Sequence, residues 1–123
     1  MSKLTLGTSL ILDTDFSESV TKTGETWIDG KPIYRKITKF TTGSGTPGST
    51  LVSLGTPDRE TIVDIQLWVR DQYDSFLHLN YYVDNTFYIN YYVTSSGANI
   101  YHVGASLASR PGVMIIYYTK TTD

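Results

Sequence analysis

The chain has no cysteine, which excludes a disulfide framework, a thiolate metal site and a thiol nucleophile. It has no excess of charge of either sign. Ten Lys+Arg stand against twelve Asp+Glu, for a net charge of -2 and a pI of about 5.6. That balance leaves no electrostatic footprint for nucleic acid or an anionic membrane. Long apolar runs are missing too. Met1–Leu12 is interrupted by Gly7, Thr8 and Ser9 and is too short for a signal peptide or a membrane span, so synthesis in a cytoplasm is expected. Good helix formers such as alanine and glutamate are rare, and no helical period runs longer than two turns. No internal repeat is present.

What is present favours strands. Ten Tyr, four Phe and two Trp are joined by many Thr, Val and Ile in a chain of 123 residues, one domain by length. The clearest strand is Ile62–Arg70, where Val63, Ile65, Leu67 and Val69 share one face and Asp64, Gln66, Trp68 and Arg70 the other. Further strands are predicted at Leu4–Leu12, Glu25–Ile28, Ile33–Phe40, Phe76–Val83, Phe87–Val93, Ile100–Val103 and Val113–Lys120. Gly, Ser, Thr and Pro alone make up 41–50, which reads as a flexible connection. Short strands at regular spacing predict an antiparallel β-sandwich, jelly-roll-like, with a small barrel as the alternative.

The stretch TGETWIDGKPIYRK, Thr23–Lys36, carries the strongest local signal. Asp29-Gly30 predicts a two-residue type I′ hairpin loop, which would pair Ile28 with Lys31 and Trp27 with Pro32. Proline at 32 places the hairpin at a sheet edge. The doublets Tyr81-Tyr82, Tyr91-Tyr92 and Tyr117-Tyr118 put one ring on each face of their strands. Val113–Tyr118 is apolar on both faces, which predicts cover from a loop or from another subunit.

Catalytic chemistry is hard to find. The glycine-rich loop lacks the Gly-Lys-Ser/Thr ending of a phosphate cradle, there is no Gly-x-Ser-x-Gly elbow, and His78 and His102 fall in strand-like runs. Asp13, Asp15, Asp71 and Asp74 sit in turns without the further ligands a calcium loop needs. No enzyme, no cofactor and no metal site is expected. The surface offers more: Trp68 and Arg70 on one strand and Tyr88, Asn90 and Tyr92 on another combine rings with polar neighbours. Such platforms suit saccharides, and the same residue types also fill subunit interfaces.

Thr23–Lys36 resembles a segment of tailed-bacteriophage virion proteins, in which a Thr-Gly-x-x-Trp-Ile-Asp-Gly-Lys-Pro-Ile-Tyr-Arg-Lys run opens the terminal β-domain of receptor-binding, tail-fibre or baseplate proteins. The closing IIYYTKTTD, Ile115–Asp123, is similar to how such proteins end. The resemblance implies a homotrimeric virion component that touches other virion proteins and a host-surface glycan or protein. Residues 1–22 would then be an attachment segment and 23–123 the sandwich. Such a domain ordinarily closes a longer fibre, whereas 22 residues precede the motif here. That departure keeps a capsid decoration or head-fibre role as the alternative.

Overall fold

A computed structural model describes Ser19–Asp123; the strand expected at Leu4–Leu12 and most of the 1–22 segment lie outside the described residues. Among the described residues nine strands form two antiparallel sheets. They are β1 (Thr21–Thr26), β2 (Pro32–Thr41), β3 (Gly48–Val52), β4 (Arg59–Arg70), β5 (Phe76–His78), β6 (Tyr81–Asp84), β7 (Phe87–Thr94), β8 (Gly97–Val103) and β9 (Pro111–Lys120). One sheet has the order β1-β2-β9-β4-β5 and the other β3-β8-β7-β6. The chain is thus an all-β sandwich. β2, β3 and β4 alternate between the sheets, and β9 returns to lie between β2 and β4 while β8 lies beside β3. This is the long-range pairing of a jelly roll, whereas β6, β7 and β8 form a simple meander.

The chain divides into two compact units. The first takes the described residues up to Thr38 with Thr56–Ile65 and Ile115–Asp123; the second takes Lys39–Gly55 and Gln66–Met114. β2, β4 and β9 contribute residues to both.

In the first unit the hairpin turn differs from expectation. The Trp27 carbonyl accepts from Gly30 N–H and the Lys31 carbonyl from Trp27 N–H, both at 2.9 Å, while Thr26 faces Pro32. The loop is therefore three residues long, Ile28-Asp29-Gly30, and only Gly30 has positive φ (86°). The Asp29 carboxylate braces this loop: its Oδ1 accepts from Lys31 N–H at 3.0 Å, and the one left-handed position falls to glycine. Ile28 stands 90% exposed at the apex. A Cβ on Gly30 would meet nothing within 4 Å. Gly30→Ala is therefore expected to cost about 1 kcal/mol in thermal or denaturant unfolding, from backbone strain alone, and Gly30→Val more.

Around this hairpin Ile33, Tyr34, Ile37, Ile116 and Tyr118 are buried. The Tyr34 and Tyr118 rings lie 6.0 Å apart, and Lys120 Nζ sits 4.2 Å from the Tyr34 centroid and 3.5 Å from Asp58. Lys31 pairs with Glu60. The hydrogen bond to Asp123 and then burial push the Tyr34 phenol above its ordinary value, and burial followed by the Asp58 charge does the same for Tyr118. A raised folded value means that the fold favours the neutral phenol. Its contribution is complete below the ordinary value of 10.0 and is lost as pH climbs through the raised values. A phenolate absorbance titration should show a late, cooperative step tied to unfolding, and Tyr34→Phe with Tyr118→Phe should remove it.

The apolar character of the last strand on both faces has an intramolecular explanation. β9 is the middle strand of the five-stranded sheet, and Val113, Met114, Ile116, Tyr118 and Thr119 are all buried within the single chain. Ile115 and Tyr117 of the same strand are half-buried.

In the second unit the sandwich core contains Leu67, Val69, Leu77 and Met114 from the five-stranded sheet and Ile89, Ala98, Ile100 and Val52 from the other, with Leu107 from a 3-10 turn at Ala105–Leu107. The run expected as one strand, Phe76–Val83, is two. β5 pairs with β4, β6 pairs with β7, and the chain changes sheets at Leu79-Asn80. There Leu79 N–H donates to the Leu67 carbonyl (2.9 Å) and Asn80 Oδ1 accepts from Tyr91 N–H (2.7 Å).

The Gly/Ser/Thr/Pro stretch is tied down rather than loose. Gly43 N–H donates to Thr50 Oγ1 (2.8 Å), Ser109 N–H to the Gly43 carbonyl (2.9 Å), and the Gly45 carbonyl lies 2.7 Å from His102 Nε2, which marks Nε2 as the protonated nitrogen. The end of the stretch is itself strand β3.

Candidate functional site

Cross-strand register decides which side chains share a face. On the four-stranded sheet Ile89 faces His102, and His102 faces Gly48. Ile89 and His102 are fully buried, so this set points inward. The alternate positions point out, in three rows: Tyr82, Tyr88 and Val103; then Asn90, Tyr101 and Ser49; then Tyr92, Asn99 and Leu51. Tyr82, Tyr92, Tyr101 and Leu51 are exposed, and Tyr88, Asn90 and Asn99 are half-buried.

The rings are ordered by one another. Tyr82 and Tyr88 have centroids 5.6 Å apart at 37°, and Tyr88 and Tyr101 are 6.1 Å apart at 38°, so three tyrosines from three strands lean together in a diagonal ridge. Tyr82 Oη donates to Asn85 Oδ1 at 2.9 Å, which fixes the end of the ridge. Tyr92 is 63% exposed and has no ring partner among the described residues. At the margin, Asp84 Oδ1 accepts from Thr86 Oγ1 (2.6 Å) and Thr86 N–H (2.8 Å), and these bonds, the side-chain one first, hold its carboxyl below the ordinary range.

The five candidates from the sequence fall into two groups on different sheets. Tyr88, Asn90 and Tyr92 lie together on the outward face just described. Trp68 and Arg70 lie on β4, directly opposite His78 and Phe76 of β5. There the Trp68 ring meets the His78 ring edge-on at 4.6 Å, Arg70 lies over the Phe76 ring at 4.8 Å, and Arg70 Nε is 3.8 Å from Asp74. These two side chains are engaged by neighbours that join a three-residue strand to the sheet.

Tyr82, Tyr101, Asn99 and Leu51 are not among the five candidates from the sequence, because sharing a face across strands depends on register. A signal was present all the same: 41–57 contains no charged residue, and in 79–109 the one acid is Asp84, with no lysine or arginine. Asp71 serves its own turn, its Oδ1 accepting from Tyr73 N–H and Ser75 N–H at 2.9 Å each. Among the described residues no three of His, Cys, Asp or Glu gather as a metal would require, and no helix is long and apolar enough to cross a membrane. Comparison with protein-family models, with curated proteins and with solved structures finds no match.

Proposed function

We propose that this protein is a phage virion component whose sandwich recognises a saccharide on the host surface through the tyrosine-asparagine face of its four-stranded sheet. One observation carries the recognition half: three leaning tyrosines and an exposed Tyr92 share a face with Asn90 and Asn99. Apolar ring faces take the C–H faces of sugars, while amides and phenols exchange hydrogen bonds with hydroxyls. The virion half rests on the resemblance of Thr23–Lys36 and Ile115–Asp123 to phage fibre and baseplate proteins. The homotrimer rests on that resemblance too. A structural role in capsid decoration has no separate support in the geometry.

Glycan-array binding followed by pull-down on host cells tests the reading. Tyr92→Ala should weaken retention by about 10- to 100-fold, the range of a hot-spot ring, with thermal midpoint and mass unchanged. Trp68→Ala should instead lower the thermal midpoint, through the lost His78 contact, and leave binding intact. Binding that depends on Trp68 and ignores Tyr92 would move the site to the other sheet.

A further inference from the structure

The charge pattern of this face specifies its ligand more narrowly, on the premise that the face binds saccharide at all. Strands β3, β6, β7 and β8 contain no lysine or arginine, and Asp84 is their one charged residue. The stretches joining β6 to β7 and β7 to β8, Asn85-Thr86 and Ser95-Ser96, are uncharged, as is 41–47 leading into β3. Uronate, sialate, phosphate or sulfate groups settling against these strands would shed water with no lysine or arginine on them to receive the charge, a net loss in any contact that excludes water. An amino sugar or other cation would meet one carboxylate on these strands, Asp84 at the margin, whose Oδ1 already accepts from Thr86.

The shape of the face adds a second constraint. Neighbouring strands lie about 4.8 Å apart, so the face reaches about 14 Å from β6 to β3, and Tyr88 and Tyr92 are separated along β7 by a similar distance. It is the outer side of a sheet, with rings in all three rows or beside them, and Tyr82, Tyr92 and Leu51 at its margins are each more than half exposed. A surface of this kind has no wall to close around a chain end. We infer that the ligand is an uncharged polysaccharide, held along the interior of its chain over several consecutive sugar units rather than by a terminal sugar.

The test applies the whole protein to an array of neutral and acidic polysaccharides, then titrates a neutral hit as oligomers of one to six units at about 0.05 M and 0.5 M salt, a range over which exposed charge attraction is screened out. The expected result is retention on neutral polymers only, affinity rising at least tenfold from one unit to four, and no change with salt. Retention on uronate or sulfated polymers that fades with salt overturns the inference and leaves saccharide recognition standing. A monosaccharide that binds as tightly as the hexamer does the same. No retention on any glycan overturns the underlying reading as well. So does a self-associated protein whose mass falls on Tyr88→Ala, since the face would then be a contact between copies of the chain.

Discussion

Gly97→Val should unfold the protein under denaturant conditions where the wild type is still folded. Gly97 opens β8 with φ at +148°, a conformation side-chain-bearing residues rarely adopt, and a Cβ there would overlap the Val52 carbonyl of β3. The obstacle is backbone, so no rotamer change relieves it. Strain at the dihedral and overpacking against a strand should together cost about 3 kcal/mol or more in a denaturant midpoint at unchanged slope. An unaltered midpoint would mean that β3 is not seated on β8 as described. Because β8 carries Asn99 and Tyr101, saccharide binding should fall with stability in this variant, which makes it a control for fold and not for contact.

Thr42→Val should have a comparable effect through hydrogen bonding. Thr42 is buried, and its hydroxyl donates to the Leu107 carbonyl (2.6 Å) while accepting from Arg110 N–H (2.7 Å). Valine keeps the volume and strands both partners. Leaving a buried carbonyl and a nearly buried N–H unpaired should cost about 2–4 kcal/mol, whereas Thr42→Ser, which keeps the hydroxyl, should recover most of it. A valine variant as stable as the wild type would show that water replaces the hydroxyl at this junction.

Much of the fold was legible because it rests on local pattern. Alternation in β4 located Leu67 and Val69 in the core, and the tyrosine doublets divided as strand geometry requires, Tyr82 and Tyr92 outward and exposed, Tyr118 buried. The misreadings share a cause. β3 opens on two residues that favour turns, Gly48 and Ser49, and it is a strand because β8 supplies its partners from Gly48↔His102 to Val52↔Ala98. The break at Leu79-Asn80 is marked in the sequence by Asn80 alone, a turn-favouring residue inside a run of apolar and aromatic ones, since what divides β5 from β6 is which sheet each joins. The β1–β2 loop is braced by one side-chain bond from Asp29. The candidate face was half visible for the same reason: β7 alone announces Tyr88, Asn90 and Tyr92, whereas Tyr82, Tyr101 and Asn99 join them through pairing.

The central claim is that this face, and no other, binds saccharide, and calorimetric titration of a neutral polysaccharide hit into the wild type and into Tyr88→Ala/Tyr92→Ala tests it most directly. The account predicts a folded double variant of wild-type mass, its thermal midpoint lowered modestly by the loss of the Tyr88 contacts to Tyr82 and Tyr101, with affinity lowered by about 100-fold or more, since two ligand-facing rings are lost. Wild-type affinity in a folded double variant would contradict it.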